Sequence, residues 1–401
     1  MLSYLLVAAV GAVVTFAATP LVRLLSMRLG WIDRPSDRKV HPKPTPTAGG
    51  IAIFAGVAAA LFVSRAVPGL SEIHRSSSDP DAALAAGLVV MGVGLLDDVR
   101  GLSPLGKLAG QILAAGLLVL LGVQLLYFFV PGQGPVVLTP DLSVELTVLW
   151  IVAMVNAINL IDGLDGLAAG MVAIAAVAFL VYIQHTPGIS DGPSTAALLS
   201  AVVAGAAIGF LPWNFHPARI FMGDTGAMLL GLLLAVATIS GVGRSLEAPS
   251  AGDFAVIAIP VAVPLLVLAV PLLDVLLAIV RRVRHGVGIG HADKLHIHHR
   301  LLDIGHSHRQ AVLLMYVWSG LISACALAVA FIDGRTLVLG ILSGAVILSA
   351  ILPRLIRDRT PRGSDAIRPS PIAGSNGNGS RVGDGQARDG HGAPPALRDS
   401  V

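Results

Sequence analysis

Eleven long apolar runs constrain this chain more than anything else in it. They lie at roughly 3–25, 50–68, 82–96, 108–127, 143–160, 166–184, 195–212, 225–241, 254–280, 310–332 and 335–353. A spanning helix needs about 20 mostly apolar residues, and it bonds its own backbone N–H and C=O groups, as lipid demands. The run lengths therefore predict an all-α polytopic integral membrane protein with about 11 transmembrane helices, the third of them short. Composition agrees. Hydrophobic residues make up 55% and charged residues 13%, a balance that excludes an ordinary soluble domain. The pattern stops near residue 355. Residues 356–401 are rich in Gly, Pro, Ser and Arg. They carry too little apolar surface to offset their ordering entropy and read as a disordered cytoplasmic tail.

Orientation follows from the basic residues. No Lys or Arg precedes the first run, and the first basic residue is Arg23, so the segment reads as a retained helix rather than a signal peptide. The loop after the first run carries Arg28, Arg34, Arg38, Lys39 and Lys43. The loop after the ninth carries Arg281, Arg282, Arg284, Lys294, Arg300 and Arg309, and the tail carries more. Alternate loops hold one basic residue or none. The positive-inside bias places the odd-numbered loops and the C-terminus in the cytoplasm and the N-terminus outside. A net charge of +3 thus serves topology and gives no nucleic-acid signal. The single cysteine, Cys325, lies inside an apolar run and excludes an intramolecular disulfide or a cysteine metal site.

Four polar clusters then fall at one membrane face, each at the end of an apolar run: Asp97-Asp98, the stretch Asn156 to Gly166 (NAINLIDGLDG), Phe221 to Asp224 (FMGD), and His296 to His299 (HIHH). An Asp at a helix centre costs about 2.5–3.5 kcal/mol on insertion scales, and helix mouths avoid most of that. Adjacent carboxylates such as Asp97 and Asp98 repel unless a cation is near, which suits a Mg²⁺-linked or proton-accepting site. Lys107, in the first turn of the helix restarted by Ser103-Pro104, can supply positive charge to the same cavity. Asn156, Asn159 and, more loosely, Asp162 share one side of a helix. Capping and a tight turn account for Asp165-Gly166, but two asparagines inside an apolar helix need partners, and a ligand is the economical one. Asn214, His216 and Arg219 make the loop before Phe221 polar. An aromatic ring, a carboxylate and a helix N-terminus there suit a nucleotide with its metal and phosphates.

His291, Asp293, Lys294, His296, His298, His299 and Arg300 form the last cluster. Without a cysteine partner, phosphate contact explains it better than zinc. His306 and His308 read as the solvated start of the next helix. A transporter would place ionisable groups at the midplane. The candidate there, Asp274, lies about two turns before Arg281 and Arg282 and reads as their ion-pair partner.

The motifs DRPSDRKVHPKPTPTAGG, LLDD with GLSPLGKLAGQ, NAINLIDGLDGLAAG, HPARIFMGDTG and HADKLHIHHRLLDIGHS resemble those of the polyprenyl-phosphate N-acetylhexosamine-1-phosphate transferases. The resemblance covers about residues 1–355, which makes that span a transmembrane catalytic domain. It implies transfer of a sugar-1-phosphate from a UDP-sugar to a polyprenyl phosphate with release of UMP, Mg²⁺ as cofactor with Mn²⁺ as an alternative, and a bacterial plasma-membrane location. It leaves a homodimer open. HIHHRLLDIGHS is similar to the UDP-N-acetylglucosamine branch, with phospho-MurNAc-pentapeptide transfer the alternative. The resemblance makes Asp224 the principal Mg²⁺ ligand and Asn159 a second. It puts Phe221 and Asp165 near the uracil and Asp97 at the lipid phosphate, and has Lys43, Lys107, His296, His298, His299 and Arg300 facing phosphates or sugar. Beside these, the residue pattern makes Asp98 and Asp162 further candidate catalytic acids and Asn156 a candidate substrate contact. Many relatives in that branch carry a third aspartate where this chain has Gly101.

Overall fold

The computed structural model describes residues 1–35, 43–130, 134–185, 192–242 and 307–331. Ten helices are described: α1 (Leu2–Leu29), α2 (Gly50–Ser64), α3 (Ser71–Ser76), α4 (Asp79–Arg100), α5 (Pro104–Leu120), α6 (Pro140–Ile161), α7 (Leu167–His185), α8 (Thr195–Asn214), α9 (Gly223–Val242) and α10 (His308–Phe331). Seven of them are long and apolar enough to cross a membrane. The apolar helices α2 and α5 are shorter. Nine of the eleven expected runs thus coincide with helices. The runs at 254–280 and 335–353, the tail and Asp274 lie outside the described residues.

Local chemistry sets the boundaries. Pro80, Pro104 and Pro140 stand in first turns, where a missing N–H leaves no helical bond unmade. Ser103 caps α5 by accepting from the Gly106 N–H at 3.1 Å, and Ser194 caps α8. Gly30 closes α1 in the left-handed conformation. Gly101 ends α4 at φ 69, ψ 114, a backbone region that a residue with a Cβ enters only under strain. That gives a physical reason for the glycine at this position.

Two short antiparallel ladders correct the all-α expectation: β1 (Ile32–Asp33) with β2 (Thr45–Pro46), and β3 (Tyr127–Val130) with β4 (Gly134–Val137). Both connect helices. The expectation missed them because strands this short carry almost no periodic signal.

Helices α7, α8 and α9 form the centre and are mostly buried, whereas α1, α4, α6 and α10 bury only about a third of their apolar spans. Around them, α8 packs on α1 and α7, and α9 on α4, α6 and α8. The outer faces present Leu5, Val13, Leu21, Leu113, Leu120 and Leu149, too much apolar surface to leave in water. Small residues allow the closest crossings. A Cβ on Gly209 would sit 2.7 Å from the Ala12 Cα, and one on Gly94 2.6 Å from the Asp224 carbonyl. The second approach sets α4 backbone-to-backbone against the first turn of α9, which positions the site.

Candidate active site

The ends of α4 and α6 and the starts of α5 and α9 meet at one end of the bundle. Lys107 Nζ lies 2.7 Å from Asp97 Oδ2 and also donates to Asp224 Oδ2. The Asn159 amide reaches the same Asp224 oxygen at 3.4 Å. The side chains of Lys107, Asp97 and Asp224 keep between 15% and 25% of their surface exposed. They are therefore desolvated enough to strengthen each other's charge and open enough to meet a ligand. Asp97 uses its other oxygen to accept the Leu102 N–H at 2.6 Å, which ties the carboxylate to the α4–α5 turn.

Asp98 has a different environment. Successive helical residues point about 100° apart, and this carboxylate turns into the N-terminus of α9. It accepts from the Asp224 N–H at 2.9 Å, the Thr225 N–H at 3.1 Å and the Thr225 hydroxyl at 2.5 Å. A helix start leaves its first N–H groups unbonded and carries partial positive charge; Asp98 answers both from another helix. Gly223, at φ +67, leaves no room for a side chain, since its Cβ would lie 2.6 Å from Thr47 Oγ1.

Backbone pairing holds the Phe221–Gly223 segment. Phe221 N–H donates to Pro46 O at 2.9 Å, Gly49 N–H to Phe221 O at 3.0 Å, and Gly50 N–H to Met222 O at 3.1 Å. Here the TPTAGG stretch acts as scaffold. A Cβ on Gly49 would lie 2.5 Å from the Phe210 ring and one on Gly50 2.6 Å from Gly226 Cα. Lys43, two residues before β2, has an exposed side chain.

Asn156 corrects the argument from unpaired amides. It donates to Gln111 Oε1 at 2.6 Å and to Val152 O at 2.7 Å, and Gln111 returns a contact at 3.4 Å. Its amide is thus satisfied by a neighbouring amide on α5 and by its own helix. Asp162 closes α6. Part of the residue reaches the surface, yet burial of its carboxyl, helped by the charges of Asp224, Asp98 and Asp165, pushes its pKa well above the ordinary carboxylate range.

Asp165 belongs to a second cluster. Its Oδ2 accepts from His216 Nδ1 at 2.7 Å and from the Ala218 N–H at 3.1 Å, while its own N–H donates to His308 Nε2 at 3.0 Å. The two imidazoles stack, with centroids 4.2 Å apart and planes 15° from parallel. His308 is therefore half-buried and engaged, not a solvated helix start. Asp165, His216 and His308 are close enough together to raise the question of a metal. Lone pairs of stacked rings lie in separate parallel planes and cannot converge on one ion at about 2.0 Å, so this arrangement is a hydrogen-bonded cluster. His296, His298, His299 and Arg300 lie outside the described residues.

The structure adds Gln111 and Tyr316 to the residues that support the site and gives Asn214 a defined part in it. Asn214 accepts the Gly166 N–H at 3.0 Å and donates to Ile220 O at 3.1 Å, bridging the two loops. Gln111 follows Lys107 by one helical turn, a spacing legible in sequence. Tyr316, which donates to Gly166 O, lies 150 residues away, and nothing local marks it.

Residues 82–242 match the model of glycosyl transferase family 4. The chain is 44% identical over 353 residues to the decaprenyl-phosphate N-acetylglucosaminephosphotransferase of Mycobacterium leprae (strain TN), covering 86% of this chain and 87% of that protein. It is 43% identical over 375 residues to the protein of the same name from Mycobacterium tuberculosis (strain ATCC 25618 / H37Rv), covering 91% of each. It is also 36% identical over 309 residues to the probable undecaprenyl-phosphate N-acetylglucosaminyl 1-phosphate transferase of Bacillus subtilis (strain 168), covering 77% of this chain and 80% of that protein.

Proposed function

The chain belongs to glycosyl transferase family 4, and from that premise we propose that it transfers N-acetylglucosamine-1-phosphate from UDP-N-acetylglucosamine to a polyprenyl phosphate. The products are UMP and polyprenyl-diphospho-N-acetylglucosamine, the first lipid-linked intermediate of a cell-envelope polysaccharide. The observation that carries the reading is the meeting of Asp97, Lys107, Asn159 and Asp224 where α4 and α6 end and α5 and α9 begin. Phosphoryl transfer needs in-line positioning and charge neutralisation more than a strong protein nucleophile, and that cluster offers both.

In the proposed reaction an oxygen of the lipid phosphate bonds to the β-phosphorus of the donor, and the bond from that phosphorus to the bridging oxygen breaks, releasing UMP. Asp97 orients the acceptor phosphate through the cationic Lys107. Lys107 neutralises charge between the two substrates. Asp98 keeps the first turn of α9, and with it Asp224, in place. Mg²⁺ fits the donor set, because Asp224, Asn159 and the nearby Asp162 offer hard oxygen atoms and the carboxylates already draw the Lys107 ammonium between them. Asp224 and Asn159 would hold it. When bound it would neutralise the charge of the donor diphosphate.

The reading further has about eleven spans in a bacterial plasma membrane, with the N-terminus outside and the site cytoplasmic. The histidine stretch from His296 to Arg300 and Lys43 would face the donor diphosphate or sugar. The test is purified protein with polyprenyl phosphate and Mg²⁺, offered each UDP-sugar in turn while UMP is measured. Release from UDP-N-acetylglucosamine only in the presence of the lipid supports the proposal. Release from UDP-MurNAc-pentapeptide alone moves the protein to the other branch, and no release from any donor removes it from the class.

A further inference from the structure

The loop from Asp162 to Gly166 has few ways to satisfy its own backbone. It follows the end of α6 and precedes the start of α7, where N–H groups lack helical partners. The structure supplies those partners from elsewhere. Gly166 N–H goes to Asn214, Gly166 O accepts from Tyr316, and Asp165 N–H goes to His308 Nε2 at 3.0 Å. Two of the three come from α10.

The His308 contact has a defined chemistry. A backbone N–H can only donate, so Nε2 must present its lone pair, and the ring is neutral with its proton on Nδ1. The same ring stacks on His216, which holds the Asp165 carboxylate through Nδ1. Arg309 Nε donates to His216 O at 2.9 Å. Asp165 is thus gripped at its backbone and at its carboxylate by two imidazoles stacked on each other. Tyr316 fits closely below, since the Cβ of any residue replacing Gly170 would overlap its ring.

We propose that His308 is a positioning residue: it fixes the loop carrying Asp162 and Asp165 by presenting an obligate acceptor to the Asp165 N–H, with Tyr316 as the second anchor from α10. The proposal rests on the transferase reading for its kinetic consequence only. A misplacement of about 1 Å can cost about a hundredfold in rate, and Asp162 lies at the acid cluster, so loosening this loop acts on turnover.

Three variants separate this role from simple packing. His308→Phe keeps an aromatic ring against His216 but has no acceptor. His308→Gln lacks the ring but restores an acceptor oxygen. Tyr316→Phe removes the donor to Gly166 O with minimal change of shape. Deuterium exchange of the peptide spanning residues 160–170 is measured in the full-length protein alongside kcat and the KM for polyprenyl phosphate. Expected are faster exchange and a kcat at least tenfold lower in His308→Phe with KM little changed, recovery of both within about threefold in His308→Gln, and a smaller shift of the same sign in Tyr316→Phe. Parental exchange in His308→Phe, or a Gln variant no better than Phe, overturns the proposal. If His308→Phe does not fold, parental exchange in Tyr316→Phe or unrecovered exchange in His308→Gln still overturns it. A parent enzyme that releases no UMP would count against the transferase reading alone, because the exchange measurements still decide the loop's anchoring.

Discussion

Replacing Asp98 by alanine should weaken the protein before it touches any chemistry. The carboxylate accepts two backbone N–H groups and a hydroxyl at the start of α9. Thr225 is fully buried, so water does not readily replace the lost acceptor. Two amides left unsatisfied, at about 1–3 kcal/mol each, give about 2–6 kcal/mol. The loss of a negative charge at a helix N-terminus adds about 0.3–1 kcal/mol. Turnover should also fall, because Asp224 rides on the turn that Asp98 holds. Asp98→Asn should be intermediate, since one acceptor oxygen remains while its NH₂ faces donors. The assay is thermal unfolding in detergent beside UMP release. Asp97→Asn is the control: its carboxylate faces Lys107 and one turn N–H, so it should lose turnover with a much smaller loss of stability. An Asp98→Ala protein with the parental unfolding midpoint and no activity would refute the capping argument and return Asp98 to the chemistry.

Asp224→Asn should reduce UMP release at least a hundredfold at saturating Mg²⁺ while the unfolding midpoint stays near the parent's; activity within tenfold would remove Asp224 as the principal ligand. Gly101→Asp, which supplies the third acid that the motif resemblance leads one to expect, should cost about 1–3 kcal/mol because φ 69, ψ 114 strains any residue with a Cβ; a gain in turnover without loss of stability would show that the acid has a role here. Asp162 carries a pH signature. Its folded-state pKa is raised, so the folded protein binds the proton more tightly than the unfolded chain, and its contribution to stability falls as pH rises from about 4 through the folded value. Unfolding midpoints measured against pH without Mg²⁺ should show that decline, and Asp162→Asn should flatten it; an equal slope in the variant would assign the decline to other groups.

Much of the architecture was legible because each apolar run is long enough to define a helix without help from its neighbours. Ser103-Pro104 marked the start of α5 and Asp165-Gly166 the turn before α7, both where the structure has them. The clustering of acids at run ends was legible for the same reason: lipid excludes them from the middle. The two β-ladders were not, because two to four residues carry too little pattern to separate a strand from a loop.

Adjacent residues illustrate where sequence reasoning stops. Asp97 and Asp98 are the same side chain on the same helix, and nothing local tells them apart. Only the crossing of α4 against α9, at the bare backbone of Gly94, turns one toward Lys107 and the other into a helix N-terminus. Asn156 and Asn159 divide in the same way, one to Gln111 and the other to Asp224. His308 looked like a solvated helix start until the fold brought it against His216 and the Asp165 N–H. The sequence by itself determined which of the described segments are apolar enough to cross a membrane, that Asp97-Asp98, Asn159 and Asp224 stand at the ends of such segments, and which family's motifs they form. Those follow from transfer free energies and spacing along one chain. Tertiary structure alone decided which polar groups satisfy each other and which stay open to substrate, because a hydrogen-bond partner is set by distance in space, and most of these partners lie dozens of residues apart.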